Sequence, residues 1–283
     1  MANDISFRIL DDIARDLSGE VVNFPTFLDI TFRVRTALKK PDLTIEELAT
    51  LVGAEPLMST RIIRLSNSVT LNRSGRAIVD VNAAIARTGM EAVRSVSFAV
   101  AMEQLLASKK MAPFAALSRR LWQHTMHVAA LSHVLARKAT RVAPDEAMFA
   151  GLIHDIGVFY LLSRAASFPE LIAEPSELHQ LLVQWHAEIG HALLAAMGLP
   201  EELLLVVQTH ETDRPVESLK TLADVLLVAN KLANLEHPWR DPELADRVDT
   251  TLLSQLFDAD AITTLLAESF DDLASLKTAL GAT

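Results

Sequence analysis

The stretch Phe149–Leu162, FAGLIHDIGVFYLL, constrains the fold more than any other part of the chain. His154 and Asp155 are its sole charged or imidazole-bearing residues. A helix that is apolar on every side belongs inside a protein. Two ionisable residues within it are expensive to bury unless paired, hydrogen-bonded or metal-bound. Adjacent helical positions point about 100° apart, so both side chains can still reach one ion from a single turn. Ala147, Ala150 and Gly151 are small enough to let a neighbouring helix approach closely.

The rest of the chain reads as helix, with no run of alternating β-branched residues. Helices are expected over residues 4–18, 26–39, 45–53, 56–66, 81–88, 90–107 and 114–139. One more should run from Pro144 to about Leu162, followed by 176–197, 201–209, 218–235 and two in the tail. Thr44 and Glu47 form a capping-box pattern, Pro56 suits a first helical turn, and Asp80 can cap the helix that Gly89 stops. Asn67 is placed to end its helix in a left-handed conformation. The polar break Lys109–Pro113 separates an N-terminal bundle from a second bundle.

Neighbours for the His154–Asp155 pair are easy to find. Leu117, Leu121, His124, Val128, Leu131 and Leu135 lie at spacings of four and three, which puts His124 inside an apolar stripe. Alone, His124 reads more plainly as a hydrogen-bonded core histidine. WHAEIGHALLAAMGLP carries His186 and His191, five apart and so on different faces. VVQTHETDRP carries His210, and TLADVLLVANKLA carries Asp224 as its sole charge before Lys231. Histidines with carboxylates and no sulfur suit a divalent metal such as Fe, Mn, Zn or Mg. Trp122 and Trp185 read as core filler and Trp239 as a loop anchor.

Composition removes several classes of protein. The 283 residues contain no cysteine, so disulfides, a Cys-ligated zinc and a thiol nucleophile are impossible. No G-x-S-x-G elbow or phosphate-cradling glycine loop occurs. The start, MANDISFRILDDIARDL, lacks the basic and apolar segments of a signal peptide, and no apolar run approaches the ~20 residues of a membrane span. A cytoplasmic location and no membrane partner are expected. The net charge of −10 argues against nucleic acid as a partner. Residues 241–283 hold nine acids and two bases, while residues 60–95 hold six arginines against Asp80 and Glu91. Arg137 and Lys138 lie where they complement a helix dipole.

Taken in order, WQHTMHVAALSHVLA, DEAMFAGLIHDIG and HAEIGHALLAAMGLPEELLLVVQTHE resemble the HD metal-dependent phosphohydrolase superfamily, in particular its HDOD branch, the HD-related output domain. FPTFLDITFRV, IEELATLVGAEPLMSTRIIRLSNS and IVDVNAAIARTGMEAVRSVSFAVAM resemble the helical N-terminal region of that branch. The likeness spans about Phe24 to Pro215. It implies an all-α fold, with an N-terminal helical subdomain (residues 1–110) packed on an HD-like helical bundle (111–240) and an acidic helical extension (241–283). Its metal ligands would fall on His124, His154, Asp155, His186, His210 and Asp224. In a hydrolase, His154 and Asp155 would be the catalytic pair, and no further cofactor is implied.

The chain departs from the active hydrolases at several points. THETDRP has one histidine and lacks the Gly-Tyr-Pro that follows a paired His-His-Glu in the related cyclic-dinucleotide phosphodiesterases, with Arg214 before Pro215; Val158 follows Gly157 where many active hydrolases carry a lysine; and in the N-terminal region Glu55–Pro56 departs from the usual Asp-Pro. The resemblance therefore implies first a signal-transduction output module with a protein partner in trans. The alternative is a metal-dependent phosphohydrolase whose ligand is a nucleotide or other phosphate ester.

Overall fold

Caps and prolines set the ends of the helices, and apolar stripes decide how they stack. The computed structural model describes residues 2–18, 29–68, 71–72, 75–139, 141–212, 214–233 and 251–280. The start of the helix expected over 26–39, Trp239 and the boundary expected near residue 240 lie outside them. Fifteen α-helices and no strand occur among the described residues, so the fold is all-α. They are α1 (Ala2–Ser18), α2 (Asp29–Leu38), α3 (Ile45–Gly53), α4 (Pro56–Ser66), α5 (Val81–Thr88), α6 (Met90–Leu106), α7 (Ala115–Ala139) and α8 (Pro144–Ile153). There follow α9 (Ile156–Ala165), α10 (Pro169–Ala173), α11 (Pro175–Ala196), α12 (Glu201–Thr209), α13 (Leu222–Ala233), α14 (Thr251–Leu256) and α15 (Ala259–Leu280).

The N-terminal layer is built by local chemistry. Thr44 and Glu47 close a reciprocal capping box on α3, Pro56 opens α4, and the Asp80 carboxylate accepts from the Ala83 amide at 2.8 Å to start α5. Gly89, at φ 86°, lets α6 follow α5 at once. Helix α6 is the joint of the molecule: it packs on α2, α4 and α5 on one side and on α8 on the other. Its residue Phe98 is 1% exposed and meets Phe149 of α8 edge-on at 6.2 Å. Burying a ring of that size stabilises the fold by roughly 1.5–3 kcal/mol.

In the second layer α7 runs along α8, α9 along α11, and α13 covers α7 and α8. The acidic tail helix α15 lies across both layers, on α7 and α4. Glu268 there meets Arg137 at 3.2 Å and Lys138 at 2.5 Å. The two cations expected to serve the end of α7 thus also hold the tail. One stretch, Pro144–Ala165, is long and apolar enough by composition to cross a membrane, and 94% of its most apolar window is buried in the fold.

Two expectations are corrected. The single helix expected from Pro144 to Leu162 is broken: α8 ends at Ile153 and α9 begins at Ile156, with Asp155 at φ −101° and ψ 16°. Apolar periodicity continues across the break, which hides it. Asn67 is not left-handed, at φ −96°. Its side chain instead pins a distant strand of backbone, accepting from the Ile78 amide at 2.8 Å and donating to the Ile78 carbonyl at 2.7 Å.

Candidate metal centre

The break between α8 and α9 delivers His154 and Asp155 to one point in the interior. Close helix contacts make this possible. A Cβ on Gly151 would stand 2.6 Å from Ala129 Cα of α7, and one on Gly157 would stand 1.9 Å from the His186 carbonyl oxygen of α11. Only glycine permits either approach, and the two approaches bring the helices of His124 and His186 up to the pair.

Four imidazoles surround the carboxylate. The ring centroids form a chain: His124 to His154 at 5.5 Å, His154 to His210 at 5.1 Å, and His210 to His186 at 5.3 Å. Asp155 Oδ2 lies 3.0 Å from His154 Nε2, and Oδ1 lies 3.4 Å from His210 Nε2. One donor atom each from His124, His154 and Asp155 lies within 4.8 Å of the other two, and the same holds for Asp155, His186 and His210. Asp155 belongs to both groups.

The backbone sets the tautomers. His154 Nδ1 lies 2.7 Å from the Gly151 carbonyl, His186 Nδ1 2.8 Å from the Leu182 carbonyl and His210 Nδ1 2.5 Å from the Val207 carbonyl. A carbonyl only accepts, so each Nδ1 carries a proton, which leaves each Nε2 as the nitrogen that can ligate an ion. Second-shell bonds of this kind orient histidines for metal. His124 is held by the opposite helix, its Nε2 donating to Asn230 Oδ1 at 3.1 Å.

The electrostatics call for a cation. Burial alone would push the Asp155 carboxyl up, but the His154 and His210 imidazoles hold it well below the ordinary carboxylate range. Burial pulls His210 down, yet its contact with Asp155 outweighs this and raises it; at His186 burial wins and the pKa falls. An ionised carboxylate therefore sits among imidazole nitrogens in a dry interior. Neither Asp155 oxygen, nor Nε2 of His154 or His210, makes a hydrogen bond of good geometry. A divalent ion would satisfy these atoms together, and the sulfur-free donor set fits Fe, Mn, Zn or Mg.

Five of the six residues named from sequence, His124, His154, Asp155, His186 and His210, are brought together. Asp224 is not. It takes the start of α13, accepting from the Lys220 and Thr221 amides at 3.1 and 2.9 Å, and pairs with Arg214 at 2.7 Å. A carboxylate committed to a cap and a guanidinium has little left for an ion. His191 stays half-buried on another face of α11. Two neighbours went unnamed in the sequence reading. Asn230, 2% exposed, is an amide in an otherwise apolar part of α13, and that anomaly is its signal. Glu211 follows His210, and its carboxylate lies 3.6 Å from His186 Nε2. Trp122 is core filler, edge-on to Phe159 at 6.3 Å.

A helical molecule whose second layer gathers four histidines and an aspartate from four segments is an HD-like protein. Residues 24–213 match the model of the HDOD domain, and the chain belongs to that family. Solved structures agree in fold. A provisionally named metal-dependent phosphohydrolase of Shewanella amazonensis SB2B is 21% identical, with a TM-score of 0.74 over 97% of this chain and 99% of that one. An HDOD domain protein of unknown function from Geobacter sulfurreducens is 20% identical, with a TM-score of 0.63 over 98% of both chains. A provisionally named signal transduction protein of Marinobacter aquaeolei VT8 is 16% identical, with a TM-score of 0.61 over 98% of this chain and 65% of that one. In sequence, an uncharacterized protein of Treponema pallidum (strain Nichols) is 22% identical over 236 residues, 77% of this chain and 44% of that protein. The chain thus spans less than half the length of that relative.

Proposed function

We propose that this chain is a cytoplasmic HDOD output module that acts on a protein partner in trans, and that its buried centre holds a divalent metal as a structural tie. Enclosure is the observation that carries this reading. The side chains of His154, Asp155 and His210 are 0% exposed and that of His186 is 3% exposed. A metal closed off by protein ligands is structural, whereas a catalytic one keeps a position open to substrate. Here the ion would be held by His124, His154, Asp155, His186 and His210, joining α7, the α8–α9 turn, α11 and the end of α12. Locking those helices fixes the outer surface offered to a partner. The departures at Thr209–Pro215 and Val158 point the same way.

A second reading is a metal-dependent phosphohydrolase acting on a nucleotide or other phosphate ester. It is favoured by Asp155, which belongs to both donor groups as a bridging carboxylate of a two-ion centre would. Bound metal would there activate water against the ester. Glu211, with a side chain 26% exposed beside His186, marks the edge from which substrate would enter.

The two readings part on one experiment. Protein purified without chelator or metal-affinity tag is analysed for metal and assayed on bis(p-nitrophenyl) phosphate. The module reading expects stoichiometric metal, no turnover above buffer, and a melting temperature about 5–10 °C lower after stripping. Turnover that tracks metal content and vanishes in folded Asp155→Ala would overturn it in favour of the hydrolase.

A further inference from the structure

A second polar feature lies apart from the metal centre, where the two layers meet. A cavity of 150 Å³ opens between α2 and α6 of the first layer and α8, α11 and α12 of the second. Phe98, Phe149, Ile153, Leu194, Met197 and Leu203 form its apolar wall. Arg35, Lys39 and Arg94 also line it, against one carboxylate, Glu91.

Arg35 is the anomaly. Its Nε and Nη1 are buried and make no hydrogen bond, and among the described residues no carboxylate pairs with it. Burial accordingly pulls its pKa down. The side chain as a whole is half-buried, with its guanidinium 6.0 Å from the centre of the Phe32 ring, and burying two of its nitrogens without an anion is costly. The fold nevertheless holds it there. Helix α11 ends in a turn in which the Gly198 amide donates to the Ala195 carbonyl at 2.7 Å and the Leu199 amide donates to the Leu194 carbonyl at 3.1 Å. Gly198 has φ 68°, and a Cβ on it would stand 3.0 Å from Arg35 Nη2. The turn therefore supports the guanidinium from behind. Across the cavity, Arg94 lies over the Phe149 ring at 4.2 Å and meets Glu91 at 2.9 Å, with its Nε buried and making no hydrogen bond.

The geometry points to a binding site for a small organic oxyanion, a carboxylate or phosphate carried on a compact apolar body such as one aromatic ring. The headgroup pairs with the guanidinium charges of Arg35 and Arg94, which line the cavity, and the body takes the apolar wall. A cavity of this volume suits a single ring. Phe149 and Ile153 precede His154 on α8, so the occupant would touch both layers and the helix that leads into the metal centre. This site stands whether or not the centre holds metal or turns over substrate.

The test uses the full chain, stripped of metal so that a phosphate cannot lodge at the centre. Phenyl phosphate, benzoate, benzyl alcohol and inorganic phosphate are titrated separately by calorimetry. At least one aromatic anion is expected to bind one site per chain, about tenfold or more tighter than benzyl alcohol or inorganic phosphate. Comparison of phenyl phosphate with benzoate tells which headgroup the site prefers. Arg35→Met should weaken that anion about tenfold or more while keeping or raising thermal stability, because it removes an uncompensated charge. Arg94→Gln should weaken it as well, providing a second variant should the first not fold. The assignment is overturned if neither anion binds below about 10 mM. It is also overturned if the alcohol binds as well as the anions. Wild-type binding in the folded variants, or loss of binding with loss of stability in both, would overturn it too.

Discussion

Gly157 lies so close to His186 that a Cβ on it would stand 1.9 Å from the His186 carbonyl oxygen and 2.6 Å from the Gly190 amide. Both contacts are backbone atoms in the middle of α11, which cannot step aside. Gly157→Ala must therefore push α9 away from α11 and move His186 with respect to Asp155. Overpacking of this kind costs about 3 kcal/mol. Urea unfolding should show that loss together with a fall in bound metal. Gly53→Ala is the control, since nothing lies within 4 Å of the added methyl. There a helical glycine becomes alanine, and a gain of about 0.5–1 kcal/mol is expected. An unchanged midpoint for Gly157→Ala would contradict the close approach.

Asn230 and Asp224 stand on the same helix and separate structure from metal binding. Asn230 accepts from His124 Nε2 and so fixes the orientation of that ring beside the centre. Asn230→Ala should weaken metal binding about 10–100-fold, measured by competition with a chelating dye. Asp224→Asn should leave metal affinity unaltered and cost about 1 kcal/mol, since it disturbs a helix cap and an ion pair. If Asp224→Asn lowers metal affinity as much as Asn230→Ala, then Asp224 is a ligand after all.

How much of this was legible in the sequence depends on the range of the forces involved. The caps at Thr44 and Asp80 and the start at Pro56 involve neighbours three or four residues apart, so the pattern alone carries them. The buried histidines were legible because an imidazole in an apolar helix face is an anomaly wherever the partner lies. The break at Asp155 was not, because it depends on where α9 can dock on α11. The role of Asn230 needed the 106-residue separation from His124 to be closed, and the pairing of Asp224 needed the chain to turn Arg214 back towards it. The cavity around Arg35 arises from elements of both layers and has no local signature at all.

Glu268 ties the acidic tail to the end of α7 through Arg137 and Lys138. All three side chains are between one third and one half exposed, so the interaction is worth at most about 1 kcal/mol and is screened by salt. Glu268→Gln should lower stability by that small amount in dilute buffer and by nothing measurable at about 1 M salt. A larger, salt-independent loss would mean that the tail is held by this residue's packing and not by its charge.

Two imidazoles bend the stability of the metal-free protein in opposite directions around their ordinary pKa of 6.5. Burial works against the charged form at both. At His210 the contact with the Asp155 carboxylate and its negative charge outweigh it, so the pKa is raised. The native state then keeps a proton that the unfolded chain releases, and the His210 contribution, complete below pH 6.5, is lost as pH climbs through the raised value. At His186 burial prevails and the pKa is lowered. The unfolded chain there takes up a proton that the native state refuses, so stability falls as pH drops below 6.5. Asp155 is lowered from 3.8, and its contribution is lost only at more acidic pH. Chelator-treated protein should therefore be most stable near pH 6.5 in urea titrations, and His210→Gln should remove the alkaline decline. Bound metal displaces the same proton and should remove that decline as well. Stability of the metal-free wild type that rises steadily from about pH 6 to 8 would show that Asp155 does not hold a proton on His210.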